Sequence, residues 1–311
     1  LFYKNTDILE KIGVPDIIMN KHLSGVGLGL RREMLDELLP DIPASVDFWE
    51  VAPENWIPLG GKYQKNLNQF TSSCNFVSHG LSLSIGSPES IDVNFVKNVK
   101  AFLDRHHILY YSEHLSYCSG QGHLYDLMPI PFTQEAVKHV VERIKQVQDI
   151  IERPLLLENV SYYAAPGQEM SEQEFTLSVL NESGCLMLLD VNNIYVNSIN
   201  HGYDAEAFLA AMPTGKIVYG HIAGHYDEAD DLKIDTHGAD VIQPVWQLLK
   251  KAYEIHGVFP TLLERDFNIP PINELLLEIE KIRIIQQQAQ AQEKIKVNQQ
   301  TTAQQPKQFS A

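Results

Sequence analysis

Positive charge is scarce in this chain. Lys and Arg number 24 against 40 Asp and Glu, a net charge of -16 at pH 7. A field of that sign repels phosphate backbones, which argues against nucleic acid as a partner. Cysteine is scarcer still. Cys74, Cys118 and Cys185 form no CxxC pair, which argues against a disulfide framework and favours a cytoplasmic setting. Cys74 and Cys185 open apolar runs and read as small core residues, whereas Cys118 falls in a loop segment where a chemical role stays open. No apolar stretch approaches the roughly 20 residues needed to span a bilayer. The N-terminal LFYKNTDILEKIGVPD lacks the basic-then-apolar layout of a signal peptide, so no membrane partner is expected.

What the chain has in quantity is short apolar runs that end in polar or ionisable residues. Eight recur: GVGLGL (25–30), DFWEVAPEN (47–55), CNFVSHG (74–80), ILYYSEHL (108–115), PLLLENV (154–160), CLMLLDVNN (185–193), KIVYGHIAGH (216–225) and PTLLERD (260–266). A strand buried on both faces reads as such a run. Between them lie amphipathic helical patterns, among them RREMLDELLP, ESIDVNFVKNVKAFLDRHH, TQEAVKHVVERIKQVQDIIE, SEQEFTLSVLNES, DAEAFLAAM and DVIQPVWQLLKKAYEIHG. Ser171 with Glu174 forms a capping-box pattern, and Gly257 and Pro260 are stop signals. Strand and helix alternate, so the fold class is α/β, a closed (β/α)8 barrel in one domain over residues 1–284. The Gln-rich tail 285–311 is expected to extend the last helix or to be disordered.

All strand C-termini of such a barrel open onto one face, where its enzymes do their chemistry. His79, His114, Glu158, Asp190, His221 and Glu264, scattered along the chain, would therefore converge. A carboxylate beside an apolar run is costly to bury unless paired or metal-bound. Arg265 offers a salt bridge as the plainer reading, but three carboxylates with three imidazoles favour a shared metal site. Imidazole and carboxylate together suit iron, manganese or zinc. Asp235-Thr236-His237 is a D-x-H whose alternate residues share a direction and can grip one metal. Glu113, His123, His201 and His225 are candidates for orienting ligands or contacting substrate. Glu54 and Asn55 are expected to face the barrel mouth with Trp56 as a wall. The G-x-G-x-G of Gly25, Gly27 and Gly29 reads as close backbone approach inside a strand.

In order along the chain, these residues resemble the xylose-isomerase-like metal-dependent TIM barrels. In the trinuclear endonuclease members a bridging Glu is flanked by two His, an Asp, a His and a second Glu complete the second metal, and a His with a D-x-H holds the third. Here Glu158 matches the bridge, with His79 and His114 beside it. Asp190, His221 and Glu264 match the second metal, and Asp235 and His237 the third. Asn193 stands where the third-metal His would fall, which weighs against a zinc hydrolase.

The strings GVGLGLR, EVAPENW, VSHGLSLSIGS, YSEHLSY, LLLENVSYY, LLDVNNIYVNSINHG, HIAGH and DTHG resemble, over residues 22–270, the multinuclear non-haem iron-dependent oxidative enzymes of the methanobactin-biosynthesis type. That resemblance implies two or three irons per chain and O2 as co-substrate. It also implies a cysteine-bearing, ribosomally made precursor peptide as substrate, and a small partner protein that recognises its leader. Asn193 then joins the metal ligands, and Glu158, Asp190 and His221 are the residues expected to carry catalysis. Zinc or manganese in place of iron stays open. So do a sugar isomerase or phosphodiester hydrolase on the same barrel, and a metal-binding protein without turnover. The long segments 116–132 and 223–240, with Tyr117, His123, Tyr125 and Tyr226 and the acidic run Asp227 to Asp231, are expected to shape a groove for a peptide.

Overall fold

The computed structural model describes residues 23–120 and 122–303, leaving the side chains of 123, 125 and 297–303 outside the description. The N-terminal segment read for a targeting signal and the side chains of His123 and Tyr125 therefore lie outside it. Eight parallel strands close into a barrel: β1 (Val26–Gly29), β2 (Phe48–Val51), β3 (Asn75–His79), β4 (Tyr111–His114), β7 (Leu155–Glu158), β8 (Leu186–Asp190), β9 (Ile217–Ile222) and β12 (Thr261–Leu263). They neighbour one another in chain order, and β12 pairs back onto β1. Each lies within one of the eight apolar runs.

The period of two along a strand decides which side chain meets which core. Phe48, Val77, Tyr110, Leu156, Leu186, Leu188, Val218, Tyr219 and Leu262 form one buried cluster, which fills the barrel. Their neighbours Trp49, Val51, Phe76, Tyr111, Leu155, Leu157, Met187, Leu189 and Leu263 belong to a second, larger cluster under the helices. Burying each large apolar side chain contributes about 1.5–3 kcal/mol. Two residues beyond Phe48, Val77, Leu156, Leu188, Tyr219 and Leu262 come Glu50, His79, Glu158, Asp190, His221 and Glu264. The chemistry is thus the next interior layer of the barrel, reached by continuing each strand one step. Gly27 leaves room for the Phe48 ring: a Cβ there would come within 2.4 Å of it.

The surrounding helices are α1 (Leu35–Leu38), α2 (Gly61–Ser73), α3 (Val93–Arg105), α4 (Gln134–Ile151), α5 (Glu172–Ser183), α6 (Val191–His201), α7 (Ala205–Ala211), α8 (Gln243–His256) and α9 (Ile272–Ala303). Helix α5 starts on the reciprocal Ser171–Glu174 capping box, and α8 stops at Gly257, whose φ is 78°. The Gln-rich segment continues α9 as far as Ala303, and its residues 304–311 lie outside the described residues. In α9, Gln286 is buried, and its amide donates to the carbonyls of Gly25 (3.1 Å) and Phe259 (3.2 Å), bridging the N-terminal ends of β1 and β12.

Both long loops fold into antiparallel hairpins beyond the strand C-termini. One is β5 (Tyr117–Gly120) with β6 (Gly122–Met128), and the other is β10 (Tyr226–Ala229) with β11 (Leu232–Ile234). The Asn200 side chain fastens β11, accepting from the Lys233 amide at 2.7 Å and donating to its carbonyl at 2.9 Å. Cys118 in the first hairpin is buried, and its thiol donates to the Leu81 carbonyl (3.5 Å), a packing contact. No described helix is long and apolar enough to cross a membrane.

Candidate metal centre

Strands β3, β4 and β7 end side by side and deliver His79, His114 and Glu158. Glu158 Oε2 lies 3.1 Å from His79 Nε2 and 3.3 Å from His114 Nε2. Its other oxygen, Oε1, faces His221 Nδ1 at 3.7 Å. That imidazole nitrogen also meets Glu264 Oε2 at 3.1 Å and Asp190 Oδ2 at 3.9 Å. Two groups of ligand atoms result, His79/His114/Glu158 and Glu158/Asp190/His221/Glu264, and Glu158 belongs to both. Asp190 is also the N-cap of α6, so the positive end of that helix points at the carboxylates.

Electrostatics show what these residues lack. Burial pushes Asp190 up, Glu158 pushes it further, and its carboxyl sits well above the usual carboxylate range. Burial opposes charge on His79, but Glu158 outweighs it and lifts the imidazole to about 9. Burial and the neighbouring His79 push His114 down to about 4. Glu158 Oε2, Asp190 Oδ2, Asn193 Oδ1, His221 Nδ1 and Glu264 Oε2 are all buried without a hydrogen bond. Five buried polar atoms left without a hydrogen bond beside one another fit a cation, and an N/O donor set without thiolate fits iron, manganese or zinc.

Asn193 is held beside the bridge. Its backbone N–H donates to Asp190 Oδ1 (2.5 Å), and its amide donates to the Asn159 carbonyl (3.1 Å) and, more weakly, to Glu158 Oε1 (3.4 Å). Asp235 and His237 also come together, with Asp235 Oδ1 2.7 Å from His237 Nε2. The carboxylate of Asp235 is already occupied by Ser161 Oγ (3.0 Å) and Asn192 Nδ2 (3.0 Å). The other nitrogen, His237 Nδ1, faces Glu264 Oε2 (3.3 Å) and Asp266 Oδ2 (3.1 Å). A third group of ligand atoms lying close together is His237/Glu264/Asp266, with Asp235 paired to His237. Arg31, just past β1, pairs with Asp266.

The outlying candidates divide. Glu113 Oε1 accepts from Tyr111 OH (2.6 Å) and the Leu83 amide (3.1 Å); burial and the charge of Glu54 push it up to about 8. Glu54 Oε1 accepts from the amides of Leu81 (2.9 Å) and Ser82 (3.0 Å). Together they anchor the loop after His79, where a Cβ at Gly80 would come 2.1 Å from Glu113 Oε1. The Glu54–Asn55 pair splits: Glu54 turns inward, Asn55 is exposed, and Trp56 is buried in the helix-side core rather than forming a wall of the mouth. His225 Nδ1 pairs with Asn192 Oδ1 at 2.8 Å. His201 stands elsewhere, stacked on Tyr162 at 3.9 Å and bonded to its carbonyl. Arg265 pairs with Asp240 and Glu278, so it neutralises none of the clustered carboxylates.

Sequence reasoning missed Glu50 and Asp266. Glu50 is buried at the end of β2, 3.0 Å from His221 Nε2. The signal that could have found it is a carboxylate two residues past an interior-facing apolar side chain, Phe48, as Glu158 stands past Leu156. Asp266 sits two residues past Glu264, the same direction one step further.

Comparisons with known proteins place this architecture. Residues 25–287 match a family model described as RiPP precursor modification enzyme MbnB/TglH/ChrH, RiPP denoting a ribosomally made, post-translationally modified peptide. A UPF0276 protein of Shewanella sediminis is 68% identical over 257 residues, covering 83% of this chain and 92% of that protein. A UPF0276 protein of Pseudomonas aeruginosa is 50% identical over 272 residues, with 88% and 96% covered. Among solved structures, an L-ribulose 3-epimerase superposes with a TM-score of 0.59 at 13% identity, over 88% of this chain and 98% of that one. Endonuclease IV from Thermus thermophilus gives 0.57 at 13%, over 85% and 100%. At such identity these two share the fold, a xylose-isomerase-like TIM barrel, and nothing further.

Proposed function

Given that this chain belongs to the MbnB/TglH/ChrH family of enzymes that modify RiPP precursor peptides, we propose that it is an iron-dependent, O2-using oxidase of a cysteine in such a peptide. The observation that carries the reading is the pair of ligand groups sharing Glu158 at the barrel mouth, in which Glu158 Oε2, Asp190 Oδ2, His221 Nδ1 and Glu264 Oε2 are buried without a hydrogen bond. His79, His114 and Glu158 would hold one ion, and Asp190, His221 and Glu264 with Glu158 a second. His237, Glu264 and Asp266, with Asp235 adjoining His237 and Asn193 as the expected neutral donor, would hold a third. Iron bound there supplies one-electron redox chemistry and affinity for a thiolate and for O2.

The protein's own part is to bind and orient. Large apolar side chains stand exposed around the mouth: Leu81 after β3, Leu124 and Met128 on β6, Tyr163 after β7, Tyr226 and Leu232 on the second hairpin, and Phe267 after β12. Such a rim supports an extended peptide over a free sugar, which needs an enclosed polar pocket. Acidic Asp227, Glu228, Asp230 and Asp231 favour neutral or basic residues beside the cysteine. A small leader-recognition protein as partner and a cytoplasmic location complete the reading.

Metal content tests it. Protein purified anaerobically and loaded with iron is expected to hold two or three equivalents, and one equivalent or none would contradict a multinuclear centre. Zinc or manganese in aerobic preparations would be substitution at the same ligands.

A further inference from the structure

We propose that Glu50 is a positioning residue that fixes the tautomers of two metal-facing imidazoles at once, His221 directly and His79 through Tyr219 and Ser112, and so couples the two positions that Glu158 bridges. The inference rests on the metal centre proposed above. Five side chains from four strands carry it. Glu50 Oε2 receives the Tyr219 hydroxyl at 2.8 Å and lies 3.0 Å from His221 Nε2. Tyr219 OH lies 2.8 Å from Ser112 Oγ, and Ser112 Oγ lies 2.8 Å from His79 Nδ1. Glu50, His79, Ser112, Tyr219 and His221 are all buried.

Proton counting gives the chain one direction. An ionised carboxylate only accepts, and a hydroxyl has a single proton to donate. Tyr219 donates to Glu50, so it must accept from Ser112. Ser112 donates to Tyr219, so it must accept from the Nδ1–H of His79. The alternative for the serine proton, the Ser78 carbonyl at 3.3 Å, would set two oxygen lone pairs against each other at 2.8 Å. Glu50 likewise accepts the Nε2–H of His221. In the neutral form that binds a metal, both imidazoles then present a lone pair on the nitrogen that faces the ligand groups, Nε2 of His79 and Nδ1 of His221. A carboxylate behind a ligating histidine fixes its tautomer and raises its basicity. Here one carboxylate does so for two histidines on different positions. His114 is the internal contrast, because its Nδ1 is buried with no partner.

Zinc-loaded full-length protein without peptide or O2 tests this separately from the oxidase reading. Nitrogen-15 NMR of the histidines is expected to show protected Nδ1–H on His79 and Nε2–H on His221. Glu50→Gln is expected to perturb both signals and to lower zinc affinity at both positions roughly 10- to 100-fold. Tyr219→Phe is expected to affect His79 alone, and it keeps the test alive if Glu50→Gln does not fold. Three outcomes would overturn the inference: Glu50→Gln acting on His221 alone, Tyr219→Phe moving neither or both histidines, or a loss of thermal stability with zinc affinity unchanged. Wild-type protein that takes up no zinc would instead overturn the metal centre itself.

Discussion

Replacing Glu158 by Gln keeps the shape of the side chain and removes one charge from between the two ligand groups. Its Oε2 sits 3.1 and 3.3 Å from His79 and His114, and its Oε1 3.7 Å from His221. Removing one partner of a buried charge interaction costs about 3–5 kcal/mol, roughly two to four decades in metal affinity. Because the carboxylate belongs to both groups, the loss falls on both ions together. At free metal about 100-fold above the wild-type Kd, each ion adds about 2.7 kcal/mol of stability, and a drop of two decades leaves only about 0.4 kcal/mol. Thermal unfolding with and without added metal, paired with elemental analysis, reads this directly: the metal-induced rise in Tm should nearly vanish in the variant. Folding itself should survive, since Leu156 and Leu157 and their clusters are untouched. A variant that keeps one position fully loaded while losing the other would refute the bridging role.

Three further expectations follow from particular residues. Asn193→Ala removes a neutral donor and should leave the two Glu158-linked positions loaded, with any loss confined to a third ion; elemental analysis showing equal loss in Asn193→Ala and Glu158→Gln would contradict it. Burial pushes Glu172 up to about 7 from an ordinary value of 4.5, so the unfolded chain releases its proton first and stability falls as pH rises through that window, by on the order of 3 kcal/mol at most. Urea unfolding of Glu172→Gln should lack that decline, and an unchanged pH profile would count against the cause given. Tyr226→Ala on the exposed hairpin should raise KM for a peptide several-fold with metal content unaltered, and an unchanged KM would remove the second hairpin from the binding surface.

Much of the barrel was legible because strands buried on both faces leave uninterrupted apolar runs, and all eight became barrel strands. Helices were less evenly visible. α2 buries only Leu67 and Phe70, too sparse a stripe to register, and α6 begins so abruptly at Asp190 that its first turn reads as the end of a strand. The hairpins were hidden because two-stranded ribbons over a barrel mouth need little apolar patterning. Within the site, runs ending in His, Asp or Glu exposed most of the converging ligand atoms. Glu50 escaped because Val51 and Ala52 follow it, so its run does not end on the carboxylate. Interior-face alternation from Phe48 would have found it. Around His237 the D-x-H spacing gave the pairing with Asp235, but not the approach of Glu264 and Asp266 to the other nitrogen, which depends on a loop residue with a left-handed φ of 49°.

The most direct measurement of the central claim is O2 consumption by the iron-loaded protein with a cysteine-containing precursor peptide and its leader-binding partner, followed by mass spectrometry of the peptide. The account predicts O2 uptake and a mass change confined to the cysteine, both abolished when that cysteine is replaced by serine, since a neutral hydroxyl is a poor ligand for iron compared with a thiolate. Equal turnover of the serine peptide, or an iron spectrum that responds only to a sugar, would contradict it.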